Sequence, residues 1–183
     1  MTKNGDMVPS QVKEKAGRIG LLLLDVDGVL TDGRIIYDSR GRDSKFFDVH
    51  DGMGVYLLKR AGIPTVLITA KGSRAIKPRA RDMRADAVYE NVSPKSSVLE
   101  KIISKYGRSA DEICFVGDDL VDLCMMRRVG LPVAVANACE EIKRAAAYVT
   151  SRYGGRGAVR EVAEIILKSR GRWDELVGKY YDI

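Results

Sequence analysis

Residues 21–32 of the chain read LLLLDVDGVLTD, and this stretch decides the fold. The four leucines predict a strand that is buried on both faces, as in the centre of a parallel sheet. The strand ends at two acids, Asp25 and Asp27, and Gly28 lets the backbone turn away. Because open α/β sheets bind ligands at the carboxyl ends of their strands, we expect both acids at that edge. Two acids in an apolar setting repel each other, so we expect a cation between them.

The remainder of the chain predicts an α/β fold, a doubly wound (Rossmann-like) parallel sheet. Apolar strand patterns alternate with helical patterns, which is typical of a parallel sheet with crossover helices. Four further strands are predicted at 63–69, 87–89, 112–116 and 131–136. Helices are predicted at 54–61, 73–83, 95–106, 122–129, 140–147 and 158–168. Residues 34–49 predict a small β-hairpin with a glycine-containing turn. We therefore expect a loose N-terminal tail over 1–18 with one short helix around 11–16, one domain over 19–170 and a C-terminal tail over 171–183.

Composition excludes several classes of protein. The 183 residues fit a single domain, and no apolar run approaches the ~20 residues needed to span a bilayer. The first 18 residues are polar and do not resemble a signal peptide. Three widely spaced cysteines suit reduced thiols in a cytoplasm. The net charge of +6 is spread along the chain and interleaved with acids, so we expect an anionic substrate and no nucleic acid.

The polar residues that follow the predicted strands fit phosphoryl transfer from a monoester, which needs a nucleophile, cations and a proton for the leaving group. Asp25 is the candidate nucleophile, and Asp27 is the candidate general acid and then base. Thr69 would bind the phosphoryl oxygens through its hydroxyl and its backbone N–H. Lys95 would neutralise the phosphate and Asp25, and Asp118 would bind a metal opposite Asp25. Oxygen ligands without histidine or thiolate indicate Mg²⁺.

Two further acids, Asp119 and Asp122, lie in the loop and helix start after the fourth predicted strand. We expect one of them to orient a metal-bound water or Lys95 from behind the ligands. Helix N-capping is the alternative role for Asp122.

The sequence DVDGVLTDG at 25–33 resembles the first motif of the haloacid dehalogenase superfamily of phosphatases. From about residue 19 to 167 the chain is similar to the small 3-deoxy-D-manno-octulosonate 8-phosphate phosphatases, which act in lipopolysaccharide precursor synthesis. The resemblance implies a hairpin in place of a cap domain. It also implies Mg²⁺ held by the side chains of Asp25 and Asp118 and the backbone carbonyl of Asp27. A homotetramer, in which each hairpin covers a neighbour's site, is implied as well.

The resemblance further implies a set of residues that bind the phosphorylated sugar acid. They are Asp48, Val49, His50, Asp51, Gly52, Lys71, Arg79 and Lys95. The chain departs from the family at two of them, since His50 and Lys71 stand where the family usually has arginine. Lysine keeps the charge of arginine but loses the planar fork that pairs with a carboxylate. His50 is equally well explained as a polar loop residue.

Three alternative functions remain open at this point. A phosphatase of a related sugar acid, such as 2-keto-3-deoxynononate 9-phosphate, would use the same chemistry. A non-enzymatic phosphoacceptor module would also be doubly wound, with an Asp, a Thr and a Lys. Such modules place the phosphoacceptor on the third strand, whereas the paired acids of this chain follow the first. A catalytically silent partner is disfavoured by the complete set of candidate residues.

Two segments near the end of the chain are not explained by this chemistry. The glycine-rich residues 154–160 resemble a phosphate-binding loop but lack its Lys-Ser/Thr pair, so a flexible helix entry is the better interpretation. Residues 173–183 are too apolar for an isolated tail, and we expect them to dock on their own subunit or on another.

Overall fold

A computed structural model describes residues 8–181 of the chain. A six-stranded parallel sheet lies at its centre, with the strand order β5-β4-β1-β6-β7-β8. Its strands are β1 (Leu21–Leu24), β4 (Thr65–Ile68), β5 (Ala87–Tyr89), β6 (Ile113–Gly117), β7 (Leu131–Ala134) and β8 (Tyr148–Val149). The helices are α1 (Ser10–Arg18), α2 (Val49–Arg60), α3 (Ile76–Asp82), α4 (Leu99–Tyr106), α5 (Leu123–Met126), α6 (Glu140–Ala145), α7 (Ala158–Ser169) and α8 (Trp173–Gly178). The predicted doubly wound architecture is confirmed.

The four leucines of β1 form the middle of the core. Each of them is fully buried, and β1 pairs in parallel with β4 on one side and β6 on the other. A strand that is covered on both faces needs an uninterrupted apolar run, which explains why the sequence does not alternate here. Because the sheet is parallel, the residues that follow β1, β4 and β6 emerge at one edge.

The predicted tails are shorter than expected because both termini of the described chain are helical. Helix α1 packs against α7 and buries Val12 and Ala16. Helix α8 also contacts α7 and buries Leu176, so this part of the C-terminal segment docks on its own subunit. The short helix expected around 11–16 is present as α1, but it packs on the domain instead of lying in a loose tail. The remaining residues of the two tails, 1–7 and 182–183, lie outside the described chain.

Other differences from the sequence prediction arise where elements are short. Strand β8 was not predicted, because two residues carry too little periodic signal. Residues 95–106 form a 3₁₀ turn over Lys95–Val98 followed by α4, instead of one continuous helix. Pro78 lies in the first turn of α3. Backbone N–H groups in a first turn have no acceptor within the helix, so the absence of an N–H on proline breaks no helical hydrogen bond there. None of the helices within residues 8–181 is long and apolar enough to cross a membrane.

The predicted hairpin is present as two short antiparallel strands, β2 (Ile36–Tyr37) and β3 (Asp43–Ser44). Its apolar side chains face outward, and Ile35, Tyr37 and Phe46 are 55%, 57% and 69% exposed. A ribbon of this size buries too little to be stable alone. The hairpin therefore depends on contacts with the rest of the molecule.

The glycine-rich segment before α7 packs against the loop that follows β1. The Gly155 N–H donates to the carbonyl of Val29 at 2.9 Å. A Cβ on Gly154 would lie 1.7 Å from the carbonyl oxygen of Gly28, so only glycine allows this approach. The segment is a close-packed entry to α7 that supports the loop carrying the two acids.

Asp51 of α2 holds the beginning of α7 from outside that helix. Its carboxylate accepts hydrogen bonds from the backbone N–H groups of Arg160 at 2.8 Å and Gly157 at 3.3 Å. The side chain is fully buried, and this burial raises the pKa of Asp51 to about 6. Its position joins α2 to α7 next to the glycine-rich entry.

This buried carboxylate should give the protein a measurable pH dependence of stability. The folded state binds the Asp51 proton more tightly than the unfolded state, so stability is highest at low pH and falls as the pH rises from about 4 to about 6. We expect the free energy of unfolding of the wild type, relative to Asp51→Asn, to decrease by about 2–3 kcal/mol across that window. Urea unfolding of both proteins from pH 4 to 7 measures the difference. The exposed Asp111→Asn is the matched control, and a difference that stays flat or rises with pH would contradict the assignment.

Candidate active site

Three carboxylates converge at the carboxyl edge of the sheet. Asp25 follows β1, Asp118 follows β6, and Asp122 ends the 3₁₀ turn Leu120–Asp122. One oxygen from each of the three lies within 4.8 Å of the others. The sequence predicted the meeting of Asp25 and Asp118, and the structure adds Asp122 to the same cluster.

The ammonium of Lys95 lies between two of these carboxylates. Its Nζ is 2.6 Å from Asp25 Oδ1 and 2.5 Å from Asp122 Oδ1, and the Lys95 side chain is 2% exposed. Burial alone would lower the pKa of Lys95, but the charges of Asp25 and Asp122 outweigh it and raise the pKa. Lys95 therefore stays charged and is the cation that pairs with Asp25. It does not lie between Asp25 and Asp27 as expected, because Asp27 pairs with Lys45 instead.

The single positive charge of Lys95 does not balance the negative charge of the three carboxylates. Burial, followed by the charge of Asp122, raises the pKa of Asp25 well above its ordinary value, although Lys95 opposes the shift. The same two causes raise the pKa of Asp118 to about 6. Carboxylates held this close favour an additional positive charge. The oxygen donors present fit a hard divalent cation such as Mg²⁺.

Asp122 and Asp119 have different roles. The sequence left open which of them orients Lys95 or a metal-bound water and which caps a helix. The Asp122 carboxylate accepts from Lys95 and also from the backbone N–H of Asp118 at 3.0 Å. It makes no side-chain cap on α5, so it orients the cluster instead of capping its helix. Asp119 is exposed and accepts from the N–H of Leu120 at 2.8 Å. Asp119 is thus the capping residue of the 3₁₀ turn.

Gly28 is required by the position of Asp118. Its φ of +90° lies in the left-handed region, which side chains disfavour. A Cβ built on Gly28 would also lie 1.9 Å from Asp118 Oδ2. The glycine therefore provides both the turn after β1 and the space for the facing carboxylate.

Thr69 is buried at the end of β4, as predicted, but its backbone donor is already used. The Thr69 N–H donates to the carbonyl of Tyr89 at 2.9 Å. Its hydroxyl donates to the carbonyl of Lys71 at 3.0 Å. The hydroxyl remains the group through which Thr69 can contact a phosphoryl oxygen, and the expectation for its N–H is wrong in this conformation.

Asp27 lies two residues after Asp25, outside the cluster, and its side chain is 31% exposed. Its Oδ1 accepts a hydrogen bond from the ammonium of Lys45, at 2.5 Å. Lys45 follows β3 of the hairpin, and sequence analysis did not select it. No periodic or motif signal distinguishes this lysine from the many surface lysines and arginines of the chain.

The residues expected to bind substrate lie around α2, α3 and the hairpin. Asp48 caps α2 by accepting from the His50 N–H at 2.6 Å, while Val49 and His50 point to solvent. Arg79 donates to the Asp48 carbonyl at 2.7 Å and lies over Phe47. A Cβ on Gly52 of α2 would meet that same guanidinium.

Two of these substrate residues have contacts that the sequence did not indicate. Lys71 donates to the Tyr37 hydroxyl of the hairpin at 2.6 Å, and this hydrogen bond is the main cause of its raised pKa. Asp51 is fully buried against the start of α7 and is not accessible to a ligand. The structure therefore argues against Asp51 as a substrate-binding residue and assigns it a role in packing.

The chain is similar to known proteins in both sequence and structure. The sequence profile of the haloacid dehalogenase-like hydrolases matches residues 79–161. The 3-deoxy-D-manno-octulosonate 8-phosphate phosphatase of Escherichia coli is 38% identical over 172 residues, which cover 94% of this chain and 92% of that protein.

Two solved structures have the same fold over most of their length. The phosphatase of the same name from Moraxella catarrhalis, in complex with magnesium, phosphate and KDO, superposes with a TM-score of 0.91 at 36% identity, covering 94% of this chain and 99% of that one. The cobalt-bound enzyme from Haemophilus influenzae gives a TM-score of 0.83 at 34% identity, covering 86% and 92%. At this identity and coverage, the chain belongs to the 3-deoxy-D-manno-octulosonate 8-phosphate phosphatase family of haloacid dehalogenase-like hydrolases.

Proposed function

We propose that this protein is a Mg²⁺-dependent phosphatase that hydrolyses 3-deoxy-D-manno-octulosonate 8-phosphate to the free sugar acid and phosphate. The observation that carries the proposal is the buried Lys95 bridge to Asp25, within a carboxylate cluster at the ligand edge of the sheet. A carboxylate held in this way can serve as the nucleophile that forms an aspartyl phosphate. The substrate is proposed from the named relatives. They are phosphatases of this sugar phosphate by name, and they are similar to nearly the whole length of this chain.

The metal would be held by the side chains of Asp25 and Asp118 and by the backbone carbonyl of Asp27. The raised pKa values of the two carboxylates support this assignment, because a nearby cation relieves the repulsion that causes them. When bound, Mg²⁺ neutralises charge on the phosphoryl oxygens. Asp122 then contributes by fixing the backbone of Asp118 and the ammonium of Lys95.

Asp25 would act as the nucleophile. One of its carboxylate oxygens attacks phosphorus in line with the leaving oxygen, the P–O bond to the sugar breaks, and an aspartyl phosphate forms. Lys95 holds the attacking carboxylate in place through its 2.6 Å contact and stabilises the charge that develops on the phosphoryl group. The Thr69 hydroxyl, buried at the end of β4, would donate to a phosphoryl oxygen in place of the Lys71 carbonyl.

Asp27 would supply the proton that the departing alkoxide needs. In the second half of the reaction it would take a proton from the water that attacks the aspartyl phosphate, which restores Asp25 and releases phosphate. Its partly exposed side chain agrees with a group that meets both the leaving alcohol and water.

Lys71, Arg79 and the start of α2 are the proposed groups for the sugar acid. Lys71 donates to Tyr37 of the hairpin, and Arg79 donates to the carbonyl of Asp48 at the start of α2. His50 and Val49 are exposed at the start of α2 and join the proposed set, and Gly52 joins it through the space that it leaves for the Arg79 guanidinium. Asp51 is left out because it is buried.

We further propose a cytoplasmic homotetramer in which each hairpin covers the site of a neighbour. The outward-facing apolar residues of the hairpin support an interface there. A phosphoenzyme needs controlled access of water, and a hairpin of this size does not close a site alone. The three free cysteines suit a reducing compartment.

The nucleophile is tested by Asp25→Asn. We expect phosphate release to fall at least about 10³-fold, because the amide cannot form the acyl phosphate. Phosphate release and mass spectrometry of the trapped phosphoenzyme measure the outcome. Asp111→Asn, an exposed change of the same size, is the control, and turnover near the wild-type rate in Asp25→Asn would exclude Asp25 as nucleophile.

The substrate is tested by phosphate release from a panel of sugar and sugar-acid phosphates, with Mg²⁺ and with EDTA. We expect kcat/KM for 3-deoxy-D-manno-octulosonate 8-phosphate to exceed that for the nine-carbon acid and for neutral hexose phosphates by at least about tenfold. Activity should disappear with EDTA and return with Mg²⁺. Equal activity on all substrates would indicate a generalist phosphatase, and metal-independent turnover would contradict the mechanism.

The assembly is tested by light scattering of the wild type and of Phe46→Asp. A charge on this exposed hairpin residue should dissociate the tetramer and reduce activity on the sugar phosphate at least about tenfold. Val149→Asp, which alters a partly exposed residue of β8, is the control for the introduced charge. A wild type that is fully active as a monomer would refute the assembly.

A further inference from the structure

Lys45 is a buried ammonium on an exposed hairpin. Its side chain is 4% exposed, whereas the next residue, Phe46, is 69% exposed. The Lys45 Nζ lies 2.5 Å from Asp27 Oδ1 and 3.6 Å from Asp43 Oδ2. The hairpin thus directs one charged side chain inward, toward the acid that follows β1.

Burial of this ammonium is unfavourable unless carboxylates pair with it. A lysine that is withdrawn from water loses its hydration, and only close carboxylates compensate for that loss. Asp43 belongs to the hairpin itself and is the more distant of the two partners. The short contact to Asp27 therefore fixes the position of the Lys45 ammonium, and it joins the hairpin to the proposed reaction centre.

We propose that Lys45 is a positioning residue that holds the Asp27 carboxyl group in place for proton transfer to the leaving group. The proposal rests on the general-acid role of Asp27 put forward above. When the P–O bond to the sugar breaks, the proton moves from Asp27 to the alkoxide oxygen and leaves a carboxylate behind. The Lys45 ammonium neutralises that carboxylate and keeps its own protons, so the step balances without another reactant.

The same contact serves the second half of the reaction. Water attacks phosphorus, its proton passes to the Asp27 carboxylate, and the bond between phosphorus and Asp25 breaks. A carboxylate fixed by one oxygen to Lys45 presents its second oxygen to the water. The hairpin consequently takes part in the chemistry of its own chain through Lys45, in addition to any contact with a neighbour.

The proposal is tested by the leaving-group dependence of Lys45→Met. 3-Deoxy-D-manno-octulosonate 8-phosphate releases a basic alkoxide that needs a proton, whereas p-nitrophenyl phosphate releases a phenolate that does not. A correctly placed general acid contributes about 10²–10⁴ to a rate. We expect the variant to lose at least about tenfold in kcat/KM for the sugar phosphate and less than about threefold for the aryl phosphate. The ratio of the two values is independent of the fraction of active protein, so partial misfolding does not affect it.

Controls separate the possible outcomes. Lys59→Met removes a lysine that pairs with Asp86 away from the hairpin, and it should keep the wild-type ratio. Lys45→Gln provides the same test if Lys45→Met does not accumulate as folded protein. Equal losses on both substrates in the Lys45 variants would overturn the proposal and leave a structural role for the hairpin lysine.

Asp27→Asn distinguishes failure of this proposal from failure of the proposed function. If Asp27→Asn lowers the ratio and the Lys45 variants do not, Asp27 is the general acid and Lys45 does not position it. If Asp27→Asn leaves the ratio unchanged, the general-acid role itself is wrong, and the Lys45 proposal is overturned with it.

Discussion

The arrangement of this site depends on one buried ammonium between two buried carboxylates. Lys95, Asp25 and Asp122 expose 2%, 7% and 0% of their side chains, so water screens very little of their charge. Removal of the lysine would leave like charges facing each other in an apolar setting. The three residues follow β5, β1 and β6, and the bridge therefore links segments that are far apart in sequence. The parallel sheet supplies this geometry, because its strands all end at the same edge.

The bridge also explains why the cluster favours a further cation. Lys95 contacts Asp25 and Asp122 but not Asp118, whose pKa stays at about 6 because of its burial and the charge of Asp122. Gly28 leaves room for the Asp118 carboxylate, and Asp122 holds the backbone N–H of Asp118. The chain thus places an acid opposite Asp25 without giving it a cationic partner of its own. Such an oxygen-rich position fits a magnesium ion, and the named Moraxella relative contains one.

The sequence predicted the parts of the molecule whose signals are local or strongly periodic. The leucines of β1 could be assigned because a doubly covered strand must be apolar throughout, and Asp25, Lys95 and Asp118 could be assigned because they follow strands. Two-residue strands such as β8 carry no usable period, so that strand was missed. Asp51 was misassigned because its partners, the N–H groups of Gly157 and Arg160, lie more than a hundred residues away. The inward direction of Lys45 depends on the path of the hairpin, which composition does not reveal.

The side chains proposed for the chemistry differ from those proposed to bind the sugar acid. The carboxylate cluster and Lys95 are buried and contact one another, so a substitution in any one of them disturbs the others. Lys71 and Arg79 instead contact the hairpin and the start of α2 through side-chain and carbonyl groups near the surface. If those residues bind the sugar acid as proposed, a lysine or histidine in place of arginine would alter how the acid is held without replacing a proposed phosphoryl-transfer group. The departures at positions 50 and 71 are therefore compatible with an intact catalytic cluster, and their effect should be confined to which sugar phosphate the site prefers.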